Sequence, residues 1–375
     1  MDIETYKSEY VKCAIDGRHL SYRQLQLVMD QYPQLTAVKE GISVKGQVIN
    51  SYRFGKGSIK VLMWSQMHGN ETTSTKALLD VIHMLHSHKE TIGSKLQLVI
   101  IPMLNPDGAD SYTRENANGV DLNRDALKRS QPESQLLHSV FDMLQPHYCF
   151  NLHDQRPIFG AGVHGKPSAL SFLAPSADIH RAFAASRSQA RMVLGAVAKS
   201  ISSDLEGFMA RFDDSFNLNC FGDYFQSKGA AAMLFEAGQH NSDYSRAEVR
   251  LYYSFALLVA LNTIAISGMT ENAGMYYDRL PENTPCYCDI LLDEVLIKDG
   301  SKVRLGLTYK EKLDRDAVVF NAHISHINPS HALFGHRHIT EPVDWAQSES
   351  QPHVGMPIKF LRTKDAIIPL NLTIF

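Results

Sequence analysis

Apolar runs of strand length alternate with amphipathic stretches of helical length, and this alternation constrains the fold more than any other feature. SIKVLMWSQ carries apolar residues without a helical gap and reads as a buried strand. HGNETTSTKALLDVIHMLHSH follows as an amphipathic helix after a glycine-containing turn. KLQLVIIPML is a second apolar strand, which breaks at the turn signal NPDG. Strand, helix, strand in that order calls for an α/β sheet with a crossover. The pattern continues with a helix around SQLLHSVFDML, a strand in HYCFNLH, a long helix around 178–202, a strand in AAAMLFEAG and a closing helix, SRAEVRLYYSFALLVALNTIAIS. The expected fold is α/β, with a central mixed, mostly parallel sheet flanked by helices.

A chain of 375 residues exceeds what one hydrophobic core usually organises. Residues 1–45 read as a polar helical segment packed on the main domain, which spans 46–275. From 285 to 375 short β-rich runs (CYCDILLDEVLI, KVRLGLTY, DAVVFNAHI, IPLNLTIF) predict a smaller C-terminal β domain.

With 44% hydrophobic and 21% charged residues the chain has an ordinary globular composition. A formal charge of -3 gives no basic surface for nucleic acid. No segment reaches the ~18 to 20 apolar residues of a membrane span, and the N-terminus has no apolar stretch of signal-peptide length. A peptide or small amino-acid-derived substrate is the expected partner, with no nucleic acid and no membrane. The five scattered cysteines do not form a disulfide framework, and the cytoplasm is the expected compartment. Oligomeric state is not legible.

His68 and Glu71 form H-x-x-E where an apolar strand gives way to a helix, the place where ligands collect in open α/β sheets. His153 ends the strand HYCFNLH and Glu236 ends the strand AAAMLFEAG, so four groups are expected at strand ends facing one crevice. Each alone has an ordinary structural reading. Together, two histidines and a glutamate make the three-ligand set of a catalytic zinc, one ion per chain, with a position left for water. Glu236 beside that water would act as general base and acid.

PMLNPDGADSYTRENANGVDLNRDA lies between the first helix and the third candidate ligand. With HGNE at 68–71, NPDG at 105–108, R-x-N-x-x-G-V-D-L-N-R at 114–124, NLH ending at His153 and FEAG around Glu236, the chain resembles the zinc carboxypeptidase family over roughly residues 55–270. The resemblance implies that His68, Glu71 and His153 bind zinc, that Arg114 polarises the scissile carbonyl and stabilises the oxyanion, and that Asn123 and Arg124 hold the substrate's terminal carboxylate. It further implies that Glu236 moves the proton, in a metallocarboxypeptidase that hydrolyses the last peptide bond through a zinc-activated water. A guanidinium fork suits a carboxylate, and a fixed cation helps most where negative charge develops.

The HGNE wording with a later DLNR is also similar to aspartoacylases and succinylglutamate desuccinylases, which carry a C-terminal β domain; this implies the alternative of a zinc-dependent deacylase of N-acyl amino acids. Digestive carboxypeptidases usually have an arginine where this chain has Asn70. For the family's substrate-capping tyrosine the candidates are Phe216, Phe221 and Tyr224. Asp154 is either a ligand-orienting acceptor or a turn cap, and Arg156 and His164 lie in a glycine-rich loop expected at the rim. Ser65 has no nucleophile motif around it. Cys286-x-Cys288 lacks a second pair for a metal site, and the tail histidines (His323, His326, His331, His336, His338, His353) read as surface residues.

Overall fold

The computed structural model describes residues 2–375 apart from 11, 14, 34, 88, 164, 182–183, 330–331, 346–350 and 365, and apart from the side chains of 86–91. Two short helices, α1 (Ile3–Glu9) and α2 (Tyr22–Met29), lead into the hairpin β1 (Thr36–Ile42) and β2 (Val48–Phe54). There follow β3 (Ile59–Trp64), α3 (Thr73–Ser87), α4 (Lys89–Lys95), β4 (Leu96–Ile101), α5 (Pro106–Ser111), α6 (Pro132–Leu144), β5 (Tyr148–Asp154), β6 (Phe159–Ala161), β7 (Leu170–Leu173), α7 (Ala185–Ile201), β8 (Met209–Arg211), α8 (Phe221–Ser227), β9 (Ala231–Ala237) and α9 (Ala247–Ala265).

Eight strands form one mixed sheet in the order β1-β2-β4-β3-β5-β9-β7-β8. The central four, β4-β3-β5-β9, run parallel, while both ends of the sheet carry antiparallel pairings. All seven residues of β5 are buried, as a strand with neighbours on both edges and helices on both faces requires. The period-2 alternation of strands divides the core. Val61, Met63, Phe150 and Phe235 pack on one face with residues of α3, α7 and α9, and Leu62, Trp64, Cys149 and Ala232 on the other with α6 and α8. His153 and Glu236 sit on this second face, two residues beyond Asn151 and Leu234.

After α10 (Glu271–Asp278), β10 (Asn283–Pro285) pairs with β6 and carries the chain to a C-terminal sheet. That sheet contains β11 (Tyr287–Leu296), β12 (Lys302–Asp314), β13 (Ala317–Ile327), β14 (Phe334–Ile339), β15 (Val343–Asp344) and, near the C-terminus, β18 (Leu372–Ile374); β16 (Phe360–Arg362) and β17 (Ile367–Pro369) form a separate ribbon. Ile290, Leu292, Leu305, Leu307 and Ile324 form its own core. Among the described residues no helix is long and apolar enough to cross a membrane.

Two expectations need correction. The segment 1–45 is not helical throughout, because 36–42 is a strand of the main sheet, paired with β2 across a turn in which Gly46 takes φ +82°. The long helix starts at Ala185 rather than near 178, since Arg181 has φ +55° and the cap Ala184 is extended.

Candidate metal centre

β3 ends at Trp64 and the chain turns sharply, with Gln66 at φ +47°, before presenting His68 and Glu71 ahead of α3. This turn depends on the NPDG segment. A Cβ at Gly69 would stand 1.9 Å from the Gly108 carbonyl carbon, so only glycine lets the two backbones meet. Asn105 caps α5 by accepting from the Gly108 amide at 2.9 Å and donates to the Met67 carbonyl at 3.1 Å. NPDG is thus scaffolding for the metal turn.

His68 Nδ1 lies 2.7 Å from Glu71 Oε1, His153 Nδ1 lies 2.8 Å from Glu71 Oε2, and the two histidine nitrogens are 3.2 Å apart. All three side chains are buried, and theirs is the metal-capable cluster found among the described residues. The second nitrogen of His68, Nε2, is 2.9 Å from Asp121 Oδ1. A carboxylate can only accept, so the ring proton belongs on Nε2 and the Nδ1 lone pair faces Glu71 and His153. Lone pairs from two imidazoles and a carboxylate converging in a buried space fit a divalent cation, and this nitrogen and oxygen set suits zinc. Burial opposes charge on Glu71, but protons on His68 and His153, which a bound cation would displace, outweigh it and hold the carboxyl well below its usual range.

The run 114–124 is a loop folded around Asn116, whose Oδ1 accepts from the amides of Asn118 and Val120 and whose Nδ2 donates to Gln131 and Glu133. Asp121 caps a short 3-10 turn, Leu122–Arg124, that sets Asn123 and Arg124 at the pocket. Arg114 donates to Asp121 Oδ2 through Nε and Nη2, at 3.1 and 3.0 Å, and its Nη1 reaches Glu71 Oε1 at 3.1 Å. Asn123 Oδ1 accepts from the Phe221 amide at 3.1 Å, and Arg124, exposed, approaches Cys220 Sγ at 3.1 Å.

Glu236 stands directly opposite His153 in the parallel pairing of β5 with β9. Its Oε2 is buried without a hydrogen-bond partner. Burial, then Glu71 and Asp154, push its carboxyl well above the ordinary range. All seven predicted site residues line one cavity of about 760 Å³.

Sequence reasoning did not assign several other residues found here. Asp121 orients both His68 and Arg114, and its place between Arg114 and Asn123 in the signature was the available signal. Arg18, Arg246 and Glu311 come from remote parts of the chain and form a polar wall: Arg18 Nη2 reaches both oxygens of Glu311 at 3.0 and 3.1 Å, and Arg246 Nη2 donates to the Gln155 carbonyl at 2.6 Å. Glu311 lies on β12, so the C-terminal sheet contributes to the cavity. Asp154 accepts from the Thr73 and Ser74 amides at 2.8 Å each, which makes it a cap for α3, while its own amide donates to Glu71.

Phe221 and Tyr224 are in the core, Tyr224 also accepting from Arg129, and neither lines the cavity; Phe216 does not line it either. The aromatic rings that do are Phe159 and Phe212. Arg156 lines the cavity, whereas His164 and His331 lie outside the described residues. Ser65 donates to the Pro102 carbonyl. Cys286 and Cys288 are buried free thiols with no metal-capable neighbours among the described residues.

A family model described as zinc carboxypeptidase matches residues 21–143, a span that holds His68, Glu71, Arg114, Asn123 and Arg124. The chain is similar to probable carboxypeptidase 2 of Trichophyton verrucosum, 25% identical over 196 residues, half of this chain and 36% of the fungal protein. It is 28% identical over 102 residues to carboxypeptidase 2 of Trichophyton rubrum, covering 26% and 19% of the two chains. The chain therefore spans about a third or less of the length of these curated relatives. Over two thirds of the chain its fold is similar to that of a metallo-carboxypeptidase from Burkholderia cenocepacia (TM-score 0.55, 14% identity, 67% and 70% of the two chains) and to one from Pseudomonas aeruginosa (TM-score 0.53, 16%, 66% and 69%). The resemblance read from the signature is thus met in sequence comparison and in fold.

Proposed function

For a chain that carries the zinc carboxypeptidase signature on the metallo-carboxypeptidase fold, we propose a zinc-dependent metallocarboxypeptidase that removes the C-terminal residue of peptides. The observation that carries this reading is the convergence of His68, Glu71 and His153 in one cavity with Glu236 opposite His153 and with Arg114, Asn123 and Arg124 at its wall. A single zinc ion held by His68, Glu71 and His153 supplies Lewis acidity toward water and the scissile carbonyl.

The chain's own residues divide the remaining work. Arg124 and Asn123 bind the terminal carboxylate and so set the last peptide bond at the centre. Glu236 accepts a proton from the attacking water at its unpartnered Oε2 and returns it to the departing amine as the C–N bond breaks. Arg114, held in orientation by Asp121, turns Nη1 toward the oxygen on which negative charge develops. Residues 46–275, joined by β1 of the same sheet, are proposed as the catalytic domain and 285–375 as a β unit that walls the cavity through Glu311. The five free thiols support the cytoplasm as the proposed compartment.

The test supplies zinc-reconstituted protein with short peptides and, separately, with N-acetyl-aspartate and N-succinyl-glutamate. Release of C-terminal amino acids from the peptides is the expected result. Hydrolysis of the N-acyl amino acids with none of the peptides would replace this reading with a deacylase.

A further inference from the structure

Side chains two residues apart on a strand share a face, so β12 presents Tyr309, Glu311 and Leu313 together. Phe320 of β13 stands directly opposite Glu311. Phe320, Val318, Tyr112 and Tyr244 form a buried apolar cluster, and Tyr309 and Leu313 pack against it. Glu311 is therefore a carboxylate set among apolar neighbours, where the C-terminal sheet meets the rest of the chain. Burial opposes its charge, but Arg18 and Arg246 outweigh this and hold it below the usual range, so it is an anion and can only accept. A buried charge is costly unless it is bonded, and the donors on Glu311 show where it acts.

Arg18 Nη2 donates to both of its oxygens, and the Tyr112 hydroxyl donates to Oε2. Tyr112 closes α5 in the left-handed region, with φ 53° and ψ 45°. Glycine is the residue usually found there, and a bulky aromatic one stays only where its surroundings hold it. What holds Tyr112 is the apolar cluster around its ring, the edge-on ring of His19 at 6.0 Å and the bond to Glu311. The Thr113 amide then turns back to the Gly108 carbonyl at 2.9 Å, and Arg114 follows. The Arg114 side chain is 41% exposed, and a long exposed side chain keeps much rotamer freedom. Its point of departure from the backbone thus decides whether it can hold the fork on Asp121 and the contact to Glu71 together. Asp121 fixes the head of Arg114, and the Tyr112 corner fixes its base.

We propose that Glu311 is a positioning residue for Arg114, acting through Tyr112, so that the C-terminal sheet sets the geometry on the oxyanion side of the metal centre. The proposal rests on the carboxypeptidase reading, in which Arg114 meets the developing negative charge. Asn123 and Arg124 are tied instead to the start of α8, through the Phe221 amide and Cys220 Sγ, so binding of the terminal carboxylate should be spared.

Tyr112→Phe removes one hydroxyl and keeps the ring, and Glu311→Gln keeps the size and removes the charge. Each is made in the wild-type and in the Arg114→Ala background. Steady-state kinetics on one peptide are measured with zinc affinity and with hydrogen exchange over 113–120, whose amides bond within the loop. In the wild-type background both variants should lower kcat by about tenfold, with KM and zinc affinity within about twofold of wild type. In the Arg114→Ala background neither should lower kcat by more than about twofold, because the group they act through is gone. Unchanged kcat in Tyr112→Phe, a change confined to KM, or the same fall with and without Arg114 would overturn the proposal. If Glu311→Gln does not fold, Tyr112→Phe decides alone. If wild type cleaves no peptide, the carboxypeptidase reading fails by itself and exchange still decides: faster exchange over 113–120 in Tyr112→Phe supports the positioning role, and unchanged exchange removes it.

Discussion

Asp121→Asn isolates how much the metal donors depend on a residue that touches no metal. The Asp121 carboxylate accepts from His68 Nε2 at 2.9 Å, from the Asn123 amide at 2.9 Å and from Arg114 Nε and Nη2 at 3.1 and 3.0 Å. Asparagine keeps the shape and one oxygen. If that oxygen stays on His68 and the Asn123 amide, the new NH2 faces the Arg114 guanidinium, donor against donor, and the anion that made His68 a stronger lone-pair donor is gone. Loss of such an outer partner weakens metal binding by about 10- to 100-fold, or about 1.4 to 2.7 kcal/mol. The assay is chelator competition for zinc on folded wild type and variant, with the unfolding midpoint of each metal-free protein as a control. A zinc affinity within about twofold of wild type in a folded variant would refute the orienting role, because the expected loss is at least about tenfold.

Three further outcomes follow from the same geometry. Glu236→Gln should lower kcat by about 10²- to 10⁴-fold while zinc stoichiometry stays at that of wild type, measured by steady-state kinetics and metal analysis. Arg114→Lys cannot reproduce the fork on Asp121 together with the contact to Glu71, and should cost about 10²-fold in kcat with a smaller change in KM. Burial pushes Asp289 up to about 6, although it accepts from Tyr244 and from the Tyr309 amide. A carboxyl that holds its proton more tightly folded than unfolded loses that contribution as pH rises from about 4 to about 6. The unfolding free energy of wild type relative to Asp289→Asn should therefore fall by about 2 to 3 kcal/mol between pH 4 and pH 7, read from urea midpoints.

The parallel centre of the sheet was legible because buried parallel strands read as continuous apolar runs, as β3, β4, β5 and β9 do. β2, with polar residues alternating through VINSYRF, and β1, with a half-buried lysine and an exposed glutamate, gave no such run and were passed over or taken into a helical segment. The short β7 and β8 were missed for want of length. At the site, the order of HGNE, the 114–124 run, His153 and Glu236 brought seven residues to one cavity. Arg18, Arg246 and Glu311 could not be read this way, since they come from the first residues, the cap of α9 and β12, and meet only in the folded chain.

The central claim, exopeptidase cleavage at a free carboxyl terminus, is tested most directly with one peptide made in two forms, free acid and C-terminal amide. Both are incubated with the zinc-reconstituted protein and read by mass spectrometry. The account predicts loss of single residues from the C-terminus of the free acid and little or none from the amide, because Arg124 and Asn123 would have no carboxylate to hold. Cleavage at internal bonds, or equal trimming of both forms, would contradict it.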